Sequence, residues 1–243
     1  MKTILSVDDL SAGYGESPVF EHISFDVKEN EIFGLVGLNG TGKTTLIKTV
    51  LGLRNPIQGR VSIGGDAVGS TERKKNFAYL PERFDPPWFL NGYEFIKFSL
   101  ELYGLTITRE AVDKAADSVS LSVSFLKKRV GSYSKGMRQK LGLLATVLTQ
   151  CPLIILDEPM SGLDPKARHD VKELILNVKK QDKAVFMCSH ILSDIGELCD
   201  KVAVMHGQEF VFIGSPDEMA RKGENDNLEK SFLNIIHLSL IHI

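Results

Sequence analysis

A near-continuous apolar run, Ile32-Phe33-Gly34-Leu35-Val36, passes into Gly37-Leu38-Asn39-Gly40-Thr41-Gly42-Lys43-Thr44 and then into a helical pattern from Thr44 to Leu51. The octapeptide fills the pattern G-x-x-x-x-G-K-[ST] in full, and it stands where that pattern has to stand, after a strand and before a helix. Its glycines let successive backbone N–H groups point into one concave nest, and the helix start adds a partial positive charge. The segment from Gly37 to Thr45 is thus built for the phosphates of a nucleotide. Lys43 is placed for the β- and γ-phosphates and the Thr44 hydroxyl for Mg²⁺.

Composition narrows the field. The 243 residues are 43% hydrophobic, enough for one large α/β domain with a subdomain inserted. Lys plus Arg number 29 against 31 Asp plus Glu, a formal net charge of -2 without an extended basic run, so nonspecific nucleic-acid binding has no electrostatic support. Cys151, Cys188 and Cys199 are odd in number and make no C-x-x-C pair, as expected of reduced thiols in a cytosolic protein. No apolar stretch approaches the roughly 20 residues of a membrane helix, and Met1-Lys2-Thr3 leads into a strand-like segment rather than a signal-peptide core.

Along the chain, Ile4, Leu5 and Val7 form a short apolar run, and Ile23, Phe25 and Val27 alternate with Ser24 and Asp26, as in a half-buried antiparallel strand. Gly52 is placed to end the helix that follows the glycine loop. Val61 to Ile63 and Phe77 to Leu80 are further strand candidates. From about 85 to 150 the texture is Pro- and aromatic-rich, then helical, and predicts an inserted helical subdomain. Strands and helices then alternate: Leu153 to Leu156, Lys166 to Lys180, Ala184 to Ser189, Ile191 to Cys199, Val202 to Met205. That is the pattern of βαβ units on a largely parallel sheet. Past Ser215 the sequence turns polar, Gly223 to Asn227 predicts a loop, and a short helix is expected around Leu228 to Ile236. The domain is read as 1–236. Residues 237–243 are expected to be irregular, either a frayed terminus or a fragment foreign to the native reading frame.

Two more segments carry chemistry. Leu153-Ile154-Ile155-Leu156 delivers Asp157 and Glu158 to the exposed end of a buried strand, where adjacent carboxylates are costly unless they have work. Behind a complete phosphate loop, Asp157 suits the magnesium shell through water, and Glu158 can orient or deprotonate a water attacking the γ-phosphate. Tyr133-Ser134-Lys135-Gly136-Met137 precedes a helix running through Leu148, and is a second segment suited to phosphate. One nucleotide does not need both segments from one subunit. Two chains head to tail can use both.

With these residues in view, the chain resembles the ATP-binding subunit of an ABC transporter over essentially all its length up to about residue 236. Ser134, Lys135, Gly136 and Met137 resemble the family signature, usually L-S-G-G-Q; Ser161-Gly162-Leu163-Asp164 resembles the loop that meets the partner subunit; Ser189-His190 resembles the switch histidine. The resemblance implies a P-loop NTPase core with a mixed, largely parallel sheet and flanking helices, an N-terminal antiparallel β subdomain and the helical insertion. It implies that Ser134 acts in trans on the partner's ATP, that Asp164 is a dimer contact, and that His190 links the γ-phosphate to Glu158. It also implies that Tyr14 stacks on adenine, where a bland reading makes it a surface turn residue. No guanine-reading Asn-Lys-x-Asp is present, which favours ATP.

Two departures stand out. The family usually has glutamine where this chain has Glu82, in Tyr79-Leu80-Pro81-Glu82; Glu82 still offers an oxygen to Mg²⁺ or its water while adding negative charge beside Asp157 and Glu158. Lys135 replaces a glycine, and its cation either sits near the partner's phosphates or points to solvent. The resemblance implies ATP hydrolysis with ATP and Mg²⁺ as cofactors, a homodimer, an integral membrane permease as a separate polypeptide, export, a place at the cytoplasmic face of the cell membrane and no nucleic-acid partner. Pro86 to Leu90, Tyr93, Phe95 and Phe98 then line a groove for a cytoplasmic helix of the permease, or serve as subdomain core. The rivals are a soluble ABC-type ATPase of ribosome or DNA and a nucleotide sensor without turnover.

Overall fold

The structure, a computed structural model, describes residues 1–15, 17–67 and 72–241. Two strands open the chain, β1 (Thr3–Tyr14) and β2 (Ser17–Lys28), followed by β3 (Ile32–Gly37), α1 (Lys43–Val50), β4 (Gln58–Ile63), β5 (Asp66–Ala67) and β6 (Phe77–Leu80). The helical segment then supplies α2 (Gly92–Glu101), α3 (Arg109–Asp117), α4 (Val123–Leu126) and α5 (Lys135–Leu148). Alternation resumes with β7 (Leu153–Asp157), α6 (Pro165–Lys179), β8 (Ala184–Cys188), α7 (Leu192–Leu198) and β9 (Lys201–His206), and the chain closes with β10 (Glu209–Gly214), α8 (Pro216–Lys222) and α9 (Leu228–Ile241).

Two sheets result. An antiparallel sheet has the order β2-β1-β4-β5, and a six-stranded sheet has the order β10-β9-β3-β8-β7-β6, parallel throughout except for β10. The larger sheet is buried on both faces, which is why its central strands read as unbroken apolar runs. Their side chains divide by alternation. Ile32, Val36, Ile154, Leu156, Val185 and Met187 enter one core with the helices α2, α5, α6 and α7, while Phe33, Leu35, Leu153, Ile155, Phe186 and Cys188 enter a second core with α1 and the antiparallel sheet. Phe25, stacked on Phe33 at 4.8 Å between ring centroids, ties the two sheets together.

The parallel strands β3, β8, β7 and β6 all end on one edge, where ligands of open α/β sheets bind. On that edge lie the glycine loop, Ser189-His190, Asp157-Glu158 and Pro81-Glu82. All three cysteines are buried and unbridged. Burial pushes their thiols up, Cys188 most of all, where Asp157 beside it adds to the effect.

The C-terminal region differs from the sequence expectation. Ser215 and Glu218 form a reciprocal capping box at the start of α8, in a stretch read only as polar. The segment expected to be irregular from 237 is instead helical to Ile241, because α9 buries Phe232, Ile235 and Ile236 and runs on from that anchor. His242 and Ile243 lie outside the described residues.

Candidate functional site

The glycine loop turns back on itself through two left-handed glycines, Gly40 (φ 85°) and Gly42 (φ 106°). At Gly42 a Cβ would stand 2.8 Å from Val19 Cγ1, so both conformation and space demand glycine there. Lys43 is folded into the loop, with Nζ donating to the carbonyls of Gly37 at 2.7 Å and Leu38 at 3.0 Å. Thr41 Oγ1 donates to Leu38 O at 2.9 Å. The N-terminus of α1 has no side-chain cap, so its first-turn N–H groups are fitted to an anion rather than to a serine or aspartate of the chain itself. Thr44 is exposed at this end, whereas Thr45 is buried.

A cavity of about 570 Å³ opens over this loop, lined by Tyr14, the residues from Val36 to Gly40 and from Gly42 to Thr45, Glu82, Asp157, Glu158 and His190. The structure therefore brings together the phosphate loop, the acidic pair, the switch histidine, the glutamate standing for glutamine and the aromatic residue, although these lie as far apart in sequence as Tyr14 and His190. Val19, Leu192 and Phe232 complete the wall.

Asp157, buried at the end of β7, is pushed up to about 6 by burial first and by the nearby Glu158 and Glu82 charges second, while Lys43 and the Tyr79 hydroxyl pull the other way. Glu158 has a left-handed backbone (φ 50°) fixed by its N–H, which donates to Cys188 O at 3.1 Å, and by its carbonyl, which accepts from Ser161 N–H at 3.1 Å. A β-type side chain direction is thereby avoided, and Glu158 Oε2 reaches His190 Nδ1 at 2.7 Å. His190 is held at the end of β8 by Ser189, whose N–H donates to Leu35 O and whose Oγ accepts from Ile191 N–H.

The second phosphate-type segment lies away from the cavity. Ser134 is exposed and caps α5, its Oγ accepting from Met137 N–H at 3.2 Å. Lys135 neither enters the cavity nor pairs with a carboxylate among the described residues. It is exposed, with its chain laid over Gly162, where a Cβ would stand 2.6 Å from Lys135 Nζ. Gly136 faces Leu163, so the start of α5 and the loop before α6 pack as one surface. Asp164 is exposed and caps α6, its Oδ1 accepting from Ala167 N–H at 3.0 Å. Further along, Asp194 of α7 is buried between Arg168 Nη2 and Lys172 Nζ of α6, each at 2.9 Å. Helix α6 and the helix that follows His190 are thus joined by ion pairs.

The aromatic run divides as well. Phe95 is buried against Phe84 in the core of the helical segment, whereas Trp88, Phe89 and Phe98 are exposed. Sequence reasoning missed Val19, Leu192 and Phe232. Val19 could have been found from its place beside the Tyr14 turn, but Leu192 and Phe232 reach the cavity only through the packing of α7 and α9.

Comparison with known proteins places this geometry. The sequence model of the ABC transporter family matches residues 20–161. The ABC-type transporter ATP-binding protein EcsA of Bacillus subtilis is 32% identical over 244 residues, covering 98% of this chain and 96% of its own length. The bacitracin transport ATP-binding protein BcrA of Bacillus licheniformis is 34% identical, covering 85% of this chain and 68% of its own length. An uncharacterized ABC transporter ATP-binding protein of Synechocystis is 38% identical over 83% of this chain, which spans only 58% of that relative. A solved structure of an ATP-binding subunit of an ABC transporter superposes with a TM-score of 0.87 at 31% identity, covering 96% of this chain and 99% of that one. With a match over more than half its length and a relative that runs beside it almost end to end, the chain belongs to the ABC transporter family, as an ATP-binding subunit and an ATPase of that class.

Proposed function

We propose that two copies of the chain close head to tail around two Mg-ATP molecules, that hydrolysis reopens them, and that this cycle drives transport, in the export direction, through a separate membrane subunit. The observation that carries the reading is the Glu158–His190 pair, 2.7 Å apart at the mouth of the phosphate-loop cavity. In each site the loop from Gly37 to Thr45 cradles the phosphates, Lys43 exchanges its loop carbonyls for phosphate oxygens, and Tyr14 stacks on the adenine. Glu158 takes the proton of the attacking water, and His190, its Nδ1 held by Glu158, presents Nε2 to the γ-phosphate. A divalent cation would suit this donor set, since Asp157, Glu82 and Glu158 gather at one cavity, where burial first and the two glutamate charges second raise Asp157. Thr44, Asp157 and Glu82 would hold Mg²⁺, directly or through water, and the ion would neutralise phosphate charge.

Ser134, with Lys135, Gly136 and Met137, serves the partner's nucleotide. The start of α5, with Ser134 and Lys135 exposed, lies away from the chain's own cavity, and Lys135 lies over Gly162 beside it. Asp164 meets the partner beside it. Binding of ATP supplies the contacts that join two chains, and loss of the γ-phosphate removes them. Among the described residues no helix is long and apolar enough to cross a membrane, in keeping with a subunit held at the cytoplasmic face by a permease. Trp88 and Phe89, 67% and 57% exposed, offer that permease an apolar foothold. Export is supported by the resemblance carried by Tyr79-Leu80-Pro81-Glu82 and the Ser134 segment, and kinship with a bacitracin transport protein supports a role in transport.

Glu158→Gln tests the assignment. The variant is expected to bind ATP with wild-type affinity and to lose at least about a hundredfold in phosphate release, the scale of a general base. Undiminished turnover would remove Glu158 from that role.

A further inference from the structure

Arg54 lies in the turn beyond α1. Gly52 (φ 73°) breaks the helix, Leu53 N–H returns to Lys48 O, and the chain brings Arg54 under the end of β1. There its guanidinium carbon stands 3.9 Å from the centroid of the Tyr14 ring, while Nη1 donates to Gly13 O. Gly13 has no room for a side chain, since a Cβ would stand 2.0 Å from Ser17 O. One planar group thus holds both the backbone and the ring of the same corner. It does so with its own Nε buried and without a hydrogen-bond partner among the described residues. A flexible ammonium cannot cover a ring face and reach a carbonyl edge-on in the same posture, whereas the rigid guanidinium fork can.

Tyr14 is 57% exposed, so little else restrains it. It lines the cavity and Arg54 does not, which puts the ring between the guanidinium and the ligand space. We propose that Arg54 is a positioning residue for base recognition: its guanidinium backs the Tyr14 ring and presents the opposite face to the purine of the bound nucleotide. The inference rests on the reading of Tyr14 as the adenine platform. A ring already ordered loses less freedom when a base lands on it. A cation on its far face also draws electron density from the ring, which favours stacking beneath an electron-rich purine. Because Arg54 follows the helix whose first residue is Lys43, the spacing between phosphate cradle and base platform is set by the rigid length of α1.

The test compares full-length wild type, Arg54→Met, Arg54→Lys, Tyr14→Ala and the Arg54→Met/Tyr14→Ala double variant by calorimetric titration with Mg-ATP and, separately, with Mg-tripolyphosphate, which has no base. Arg54→Met is expected to weaken ATP binding about three- to tenfold, the scale of a cation–π contact, and to leave tripolyphosphate within about twofold. Arg54→Lys should recover only part of the loss, and Arg54→Met should cost nothing further once Tyr14 is Ala. An equal loss toward both ligands would make Arg54 merely structural and overturn the proposal, as would wild-type ATP affinity in Arg54→Met when Tyr14→Ala is weakened. Wild-type ATP affinity in Tyr14→Ala would sink the platform reading itself, and the inference with it.

Discussion

Asp157 carries its charge at a buried strand end, with two other carboxylates close by. Its acid is pushed up to about 6 from an ordinary 3.8 by burial and then by Glu158 and Glu82, so between those values the folded chain keeps a proton that the unfolded chain has released. Stability therefore falls as pH rises through that window and levels off above it, by up to about 3 kcal/mol in all. Thermal unfolding without divalent cations should show this slope. Asp157→Asn should flatten it and raise the midpoint near neutral pH, whereas a wild-type midpoint indifferent to pH from about 4 to 6 would deny the burial cost. Residues of this kind were legible in the sequence because their chemistry forces their type: a φ of 106° at Gly42 calls for glycine, and paired carboxylates after an apolar strand call for work. Arg54 was not legible, since nothing local distinguishes an arginine in a turn from one that covers a distant tyrosine. Lys135 was legible as a departure but not in its placement, because Gly162, over which it lies, is brought to it only by folding.

At the scale of elements, what the sequence showed depended on how an element is buried. β3, β7 and β8 were plain because both faces are covered and their residues are apolar, up to Asp157 at the very end of β7. β10 was missed although Phe210-Val211-Phe212-Ile213 is an apolar run, and α8 was missed although its Ser215–Glu218 capping box was in the sequence to be read. α9 extends past its expected end because its start is anchored on α7 and β10, a tertiary cause. The ion pairs between α6 and α7 give a quantity to measure. Asp194 is 1% exposed in its side chain, and Lys172 and Arg168 are 15% and 30% exposed, so Asp194→Asn leaves Arg168 facing a neutral group and Lys172 with Glu197 as its remaining carboxylate. A loss of about 2–4 kcal/mol in urea unfolding is expected, less than for a fully buried pair because Arg168 keeps some water. A loss under about 0.5 kcal/mol would mean that the two helices are held by packing alone.

The whole molecule is laid out with its own nucleotide cavity on one surface and the exposed start of α5 on another. In the proposed head-to-tail closure a second chain brings the two together. Glu158→Gln with Mg-ATP is expected to elute as a dimer by size exclusion, and Glu158→Gln combined with Ser134→Arg as a monomer that still binds ATP; a dimer in the combined variant would dismiss the trans role of Ser134. The three cysteines bear on how any such closure can be watched. Cys151, Cys188 and Cys199 are no more than 7% exposed, and burial raises each thiol above its usual range. A maleimide dye at about pH 7 should therefore leave the native chain unlabelled and mark three positions only when urea opens it. The wild-type protein is in effect a blank: Lys127→Cys, on an exposed turn, should take a single fluorophore without any native cysteine being removed, and slow labelling of the unaltered chain would time how often its core breathes.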